Sequence, residues 1–218
     1  MNDLLNKKLT INEIFHSIQG ESYLSGLPFV FVRLTGCHQR CTYCDTEYAF
    51  YEGKKLSFEI ILDQIQSFKC ENVLITGGEP LLQCNTPDLI QLLLDTGYQV
   101  SVETSGNLSL ENLPDKVVKI MDLKTPGSGE CDKNNWNNIK FLGNKDEVKF
   151  VVTDEDDIDW AIATIKEYRL DTICHVSISP TDLELNTSIA EKILESSLAI
   201  RQQVQLHKLI WPNENRGI

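Results

Sequence analysis

Nowhere in the 218 residues does an apolar run approach the ~18 needed to cross a bilayer. The opening residues, MNDLLNKKLTINEIF, also lack the apolar stretch and small-residue cleavage site of an export signal. A cytoplasmic protein away from membranes is therefore expected. Positive charge is scarce: 20 Lys and Arg against 32 Asp and Glu leave a formal charge of −12. That balance opposes attraction to phosphate backbones and anionic lipid, so direct nucleic-acid binding is not expected. The acidic run TDEDDIDW, residues 153–160, lacks the glycine and terminal glutamate of an EF-hand loop and reads as a solvated helix start. No repeat, low-complexity tract or linker divides the chain, which reads as one domain, 1–218. Seven cysteines, an odd number without an export signal, argue for reduced thiols or metal ligands over a disulfide framework.

Apolar stretches rich in β-branched residues recur at 29–34, 73–76, 99–102, 117–123, 148–152, 172–178 and 204–210 and read as strands. Between several of them lie helical patterns. SFEIILDQIQSF (57–68) places Ile61, Ile65 and Phe68 on one face behind a serine cap. TPDLIQLLLDTG (86–97) has a threonine cap, proline in the first turn and a closing glycine. Residues 157–169 and 188–203 read likewise, and 125–141, rich in Gly, Asn and Ser, reads as a long loop with one short helix. Strand–helix alternation needs right-handed crossovers and produces a mainly parallel sheet with the chemistry at the C-terminal strand ends. About six such units are too few for a closed eight-unit barrel. An α/β fold with a partial (βα)6-type barrel and an N-terminal extension is expected.

TGCHQRCTYCDTEYAF, residues 35–50, sets Cys37, Cys41 and Cys44 in C-x3-C-x2-C spacing with no fourth cysteine nearby. A structural zinc site needs four protein ligands, and His38, directly after Cys37, is badly placed to close a tetrahedron with its neighbour. An iron–sulfur cube has four irons, each wanting an external ligand. Three thiolates leave one iron open to chelate a small molecule, which turns an electron carrier into a site of chemistry. Cys70, Cys84, Cys131 and Cys174 stand alone and read as idle or buried thiols.

CHQRCTYC resembles the signature of radical S-adenosylmethionine enzymes, including the aromatic Tyr43 before the third cysteine. NVLITGGEP, residues 72–80, resembles that superfamily's strand and Gly-Gly-Glu-Pro turn, which receives the methionine end of the cofactor. Glycines there let backbone approach a ligand closely, and Glu79 would help orient the ammonium group, directly or through the turn. The resemblance thus implies a [4Fe–4S] cluster on the three cysteines, S-adenosylmethionine on the open iron, and a radical SAM barrel.

More of the chain is similar to the 7-carboxy-7-deazaguanine synthase family. FHSIQGES (15–22), FVRLTGC (31–37), CDT (44–46), VETSG (102–106), DLKTPGSG (122–129) and the closing QLHKLIWPNENRGI carry the likeness. Ser22 stands where that family's Q-G-E-G would have its second glycine, and Pro212 and Asn213 interrupt a tail closer to W-G-N. The family's reaction is a magnesium-dependent radical ring contraction of 6-carboxy-5,6,7,8-tetrahydropterin to 7-carboxy-7-deazaguanine with loss of ammonia, in queuosine and deazapurine synthesis. The resemblance implies that Ile18, Gln19, Gly20, Thr76, His207 and Ile218 meet the pterin and that Arg33 pairs with its carboxylate. Thr46 would offer a hydroxyl to Mg²⁺. Tyr43, Asp45, Gly77, Gly78, Glu79, Glu103, Ser105, Asp122, Leu123, Lys124, Ser179, Pro180, Thr181 and Asp182 would hold S-adenosylmethionine. A flavodoxin or ferredoxin as electron donor and a homodimer are implied as well.

Three plainer readings compete. Arg33 has a secondary reading as one half of an internal salt bridge at its strand end, Thr46 reads by itself as a turn cap, and His16 and His207 as packed histidines. At the level of function the rivals are an activase that installs a glycyl radical in another protein and a non-enzymatic iron–sulfur or zinc module. An activase needs a groove for a polypeptide, whereas the Q-G-E element, Arg33 and the full tail favour a small carboxylated substrate.

Overall fold

The computed structural model describes residues 2–214 and 216–217. Its nine strands form one sheet in the order β3-β1-β2-β4-β5-β6-β7-β8-β9. Seven of them run parallel: β2 (Pro28–Leu34), β4 (Asn72–Gly77), β5 (Gln99–Thr104), β6 (Val118–Lys124), β7 (Glu147–Val152), β8 (His175–Pro180) and β9 (Arg201–Gln202). The N-terminal extension adds β1 (Lys8–Ile18) and β3 (Lys54–Ser57), both antiparallel to their neighbours. The open strand order makes this the expected partial barrel.

Helices α2 (Phe58–Ser67), α3 (Thr86–Asp95), α4 (Glu155–Tyr168) and α5 (Asn186–Ser196) cover one face of the sheet, and the short α1 (Asn2–Leu5) and α6 (Leu206–Ile210) complete the set. Ser57 caps α2 as expected, accepting from the Ile60 N–H. The cap of α3 is Asn85, not Thr86, whose hydroxyl instead donates to the Pro80 carbonyl at 2.7 Å. The start of α4 is solvated only in part. Asp154 caps it, but Asp157 is buried and accepts from the Gly127 N–H and the Thr125 and Thr153 hydroxyls. The expected loop at 125–141 folds as three 3-10 turns, and Asp157 ties the first of them to the sheet.

Side-chain alternation along the strands divides the interior. Val30, Val32, Leu34, Val73, Ile75, Met121, Leu123, Val148, Phe150 and Val152 point to the helices and build the main core. Phe29, Phe31, Leu74 and Ile120 point the other way and pack as a second apolar cluster. Farther along the same inward rows stand Arg33, Thr76, Asp122, Lys124 and Lys149, so the barrel changes from apolar to polar toward its C-terminal strand ends.

Two expectations fail at the C-terminal end. Residue Ser197 takes a left-handed conformation (φ 58°) and stops α5, so the helix expected to 203 ends at Ser196. Residues 204–210, expected as a strand from their apolar composition, contain α6 instead. Their backbone is held by the Gly20 carbonyl, which accepts from the Leu206 N–H at 2.9 Å, and not by a sheet neighbour.

Candidate active site

A cavity of about 420 Å³ opens at the C-terminal strand ends. The loop from β2 carries all three clustered cysteines into it, and the turn after β4 docks on that loop. The Glu79 N–H donates to the Gly36 carbonyl at 2.8 Å, and the Gly78 N–H to Leu34 at 3.3 Å. A Cβ on Gly78 would lie 2.5 Å from the Gly36 carbonyl oxygen and 2.6 Å from the Cys37 Cβ, so glycine is required by the closeness of the two backbones.

Glu79 is fully buried and does not line the cavity. Its carboxylate accepts from the Leu81 N–H, the Thr104 hydroxyl, and both the N–H and hydroxyl of Ser105. Its side chain therefore acts through the turn, locking the ends of β4 and β5 together.

Cys37, Cys41 and Cys44 are half-buried and free of disulfides. Burial pushes all three thiols up, while Lys124 draws each one down. Among the described residues no trio of His, Cys, Asp or Glu side chains converges on a point as a single metal ion demands. A cube spreads its thiolates over separate irons, so three cysteines on one cavity wall suit a cluster better than mononuclear zinc. Three buried polar atoms of cavity-lining residues, Gln39 Nε2, Tyr43 Oη and Asp122 Oδ1, have no hydrogen-bond partner. Orphaned donors and acceptors of this kind suit a bound polar group. The residues present fit a cluster with a small polar cofactor.

Opposite the cysteines the wall is made of charge. Lys149, set between Val148 and Phe150 of β7 and 4 % exposed, donates to Glu21 Oε2 and Glu103 Oε1 at 2.5 Å each and lies 3.8 Å from Asp122. Burial disfavours its charge, but Glu103 and Glu21 outweigh this and hold it firmly protonated. The two carboxylates on this one cation diverge. Burial would raise Glu21, yet Lys149, Gln205 and His207 bring it down to about 2. Glu103 is pushed up, first by burial and then by the facing Glu21, although Lys149 opposes this. Glu103 is the member that takes a proton first. Beside them Lys124 pairs with Asp122 at 2.9 Å and lies 5.6 Å from the Tyr43 ring.

The N-terminal element closes the cavity. Ile18, Gln19 and Gly20 line it, and Gly20 is pressed against His207, whose Nδ1 would lie 1.9 Å from an added Cβ. Ser22 sits at φ 62°, a backbone region in which glycine is favoured, and its hydroxyl accepts from the Leu24 N–H. Arg33 lines the cavity, but its Nε is committed to Glu13 at 2.8 Å, so the internal salt bridge exists. Tyr48 donates to the same Glu13 oxygen. The Thr46 hydroxyl does not cap the following turn; it donates to Asp45, which Lys208 of α6 holds at 3.1 Å.

Of the residues expected here, Asp45, Thr76, Gly77, Ser105, Pro180 and Thr181 also line the cavity. Leu123, Ser179 and Asp182 do not. Leu123 points to the helix-side core, Ser179 is buried, and Asp182 caps a turn by accepting from the Glu184 N–H. Ile218 lies outside the described residues, whereas Glu214, Arg216 and Gly217 of the tail reach the cavity. His16 lies away from it, beside Phe68. Lys149, Gln39 and Gln205 were not singled out from the sequence, and Glu21 was noted only as part of the Q-G-E element. A lysine inside a buried strand is the one local signal that was available.

Comparison with known proteins agrees with this architecture. Residues 31–127 match the model of the Radical SAM superfamily. The chain is 37 % identical to the 7-carboxy-7-deazaguanine synthase of Koribacter versatilis, over 96 % of this chain and 100 % of that one. It is 39 % identical to the enzyme of that name from Chlorobaculum tepidum, over 96 % and 97 %. The crystal structure of QueE from Escherichia coli superposes with a TM-score of 0.76 at 23 % identity, covering 90 % of this chain and 94 % of that one.

Proposed function

The chain belongs to the 7-carboxy-7-deazaguanine synthase family of radical S-adenosylmethionine enzymes, and from that premise we propose that it contracts 6-carboxy-5,6,7,8-tetrahydropterin to 7-carboxy-7-deazaguanine with loss of ammonia. The observation that carries the proposal is that one cavity gathers the cysteine triplet, the Gly77–Gly78 turn, the Q-G-E element and a wall of buried charge. Family membership implies a [4Fe–4S] cluster and S-adenosylmethionine. When bound, they supply one-electron cleavage of the cofactor and hydrogen-atom abstraction from the substrate.

The chain's own residues bind, orient and keep the site dry. Cys37, Cys41 and Cys44 hold the cluster from one side, and the backbone at Gly77 and Gly78 leaves room for the amino-acid end of the cofactor. Tyr43, Asp122 and Lys124 receive its polar groups, supported by the unpartnered Tyr43 and Asp122 oxygens. Ile18, Gln19 and Gly20 face the pterin, with His207 fixed behind Gly20. Arg33 keeps its Nη groups for the substrate carboxylate while Glu13 holds the Nε, which fixes the plane of the fork. Thr46, whose hydroxyl lies beside the Asp45 carboxylate, would offer that hydroxyl to Mg²⁺, an ion that commonly takes few protein ligands. We further propose one domain, a cytoplasmic homodimer, and a flavodoxin or ferredoxin as donor. No helix among the described residues is long and apolar enough to cross a membrane.

The test is anaerobic reconstitution followed by incubation with carboxytetrahydropterin, S-adenosylmethionine, Mg²⁺ and dithionite, with mass analysis of products. A ring-contracted carboxydeazaguanine is expected. Cofactor cleavage without that product, on a protein holding about four irons per chain, would overturn the substrate assignment while leaving the radical chemistry in place.

A further inference from the structure

One sulfur of the triplet differs from the other two in its hydrogen-bond environment. Main-chain N–H groups are turned toward two of them, from Gln39 to Cys37 and from Thr46 to Cys44. Cys41 has a side chain in that place. The Gln39 amide oxygen lies 4.0 Å from Cys41 Sγ, in the geometry of a thiol donating to a carbonyl. Gln39 is 2 % exposed, lines the cavity, and its Nε2 has no partner. A buried amide with its acceptor used and both donor hydrogens idle is costly, and a native site does not keep one without a use for it.

Ligation changes the chemistry of the sulfur. A thiolate bound to iron has no hydrogen and can only accept, so the contact seen with the free thiol becomes a repulsion between two acceptors. Turning the amide over exchanges Oε1 for Nε2 and converts it into an N–H···S bond, with little change in shape. We propose that Gln39 is the residue that tunes the cluster, its Nε2 donating to the Cys41 thiolate when iron is bound. The inference rests on the triplet holding a cluster. Hydrogen bonds to cluster sulfurs favour the reduced, more negative state and so raise the potential.

The test compares the wild-type protein with Gln39→Met, which keeps length and volume without a donor, and Gln39→Glu, which keeps shape but presents a charged acceptor. All three are reconstituted anaerobically, assayed for iron and titrated by EPR. The equilibrium for reduction should fall about tenfold in Gln39→Met, a drop of about 59 mV for a one-electron couple, and farther in Gln39→Glu. The reduced wild-type cluster should also show an exchangeable-proton coupling that disappears in D2O and is missing from Gln39→Met. Equal potentials in all three at full iron content overturn the proposal. So does failure of both variants to hold iron, which would make Gln39 a support of the loop's fold. A wild-type protein without a cluster signal refutes the reading of the triplet itself, a result separate from either.

Discussion

The two facing walls of the cavity are built by different means, one from backbone brought close by glycine and the other from side-chain charge gathered on a single lysine. On the β2–β4 side the turn at Gly77 and Gly78 lies against the cysteine loop, and Glu79 ties it down with four accepted hydrogen bonds. On the other side Lys149 holds Glu21, Glu103 and Asp122. The first wall leaves its cysteines and cavity edge uncommitted, ready to hold something. The second has its charges already paired, so its value lies in fixing positions. A backbone wall should therefore fail by crowding, and a charged wall by leaving ions without partners.

The largest effect is expected from Lys149→Met. Removing the cation leaves Glu21 and Glu103 facing each other in a buried site, with Asp122 still held by Lys124, and breaking a buried ion pair by deleting one partner costs about 3–5 kcal/mol. Denaturant unfolding of the apo-protein at pH 7.5 should show that loss, and most of it should be recovered at pH 5, where the raised Glu103 is the first to be neutralised. A variant as stable as the wild type would mean that water already serves those carboxylates and that the charged wall is not a structural unit.

This difference also explains what could be read in the sequence. The backbone wall uses residue types that are conspicuous and close in the chain: three cysteines within eight positions and a Gly-Gly-Glu-Pro turn. The charged wall joins residues 128 apart, Glu21 and Lys149, and no local pattern pairs them. The parallel strands from β2 to β8 were legible because their buried apolar residues produce continuous runs, whereas the two-residue β9 lay inside the helix expected over 188–203. Strand β1 was not, since its burial is intermediate along most of its length and its residues Glu13, His16 and Ser17 break the run. Residues 204–210 misled for the opposite reason, as their apolar residues suggest a strand while the Gly20 carbonyl and the cavity, not a neighbouring strand, decide their conformation. Arg33 was legible as a cavity residue but its partner Glu13 was not, because the cross-strand register that aligns them is set by β1. The Ser22 departure, by contrast, could be located in advance, and the structure shows why glycine would suit that place: the backbone is left-handed there.

A smaller effect tests the backbone wall. Gly78→Ala inserts a methyl 2.5 Å from the Gly36 carbonyl oxygen and 2.6 Å from the Cys37 Cβ, both of which belong to main chain or its first side-chain atom and have no rotamer to yield. The turn and the loop must part by several tenths of an ångström. Overpacking of this kind costs about 1–3 kcal/mol. Iron content after reconstitution should fall with stability, because the displaced segment carries Cys37. Unchanged iron and stability would show that the two backbones are held less tightly than their separation implies.

The smallest effect separates the two carboxylates on the one lysine. Glu21 is held down to about 2 from an ordinary value of 4.5, so its contribution to stability is present above about pH 4.5 and is lost as the pH falls toward 2. Glu103 is raised, so its ionised form works against the fold at pH 7, and stability rises as it takes up a proton on acidification. Glu21→Gln should therefore lower stability at pH 7 and flatten the acid limb of the stability curve. Glu103→Gln should hold or raise stability at pH 7, because Lys149 keeps Glu21 and Asp122 and loses only the member whose charge the site resists. The two variants should differ by about 1 kcal/mol or more, since one pKa unit is worth about that much and Glu21 is shifted by more than one. Apo-protein stability from pH 3 to 8 is the readout, which keeps any role of these residues toward cofactor or substrate out of the measurement. If Glu103→Gln is the more destabilised of the two at pH 7, the lysine's stronger partner is Glu103, and it is the Q-G-E wall that is held loosely.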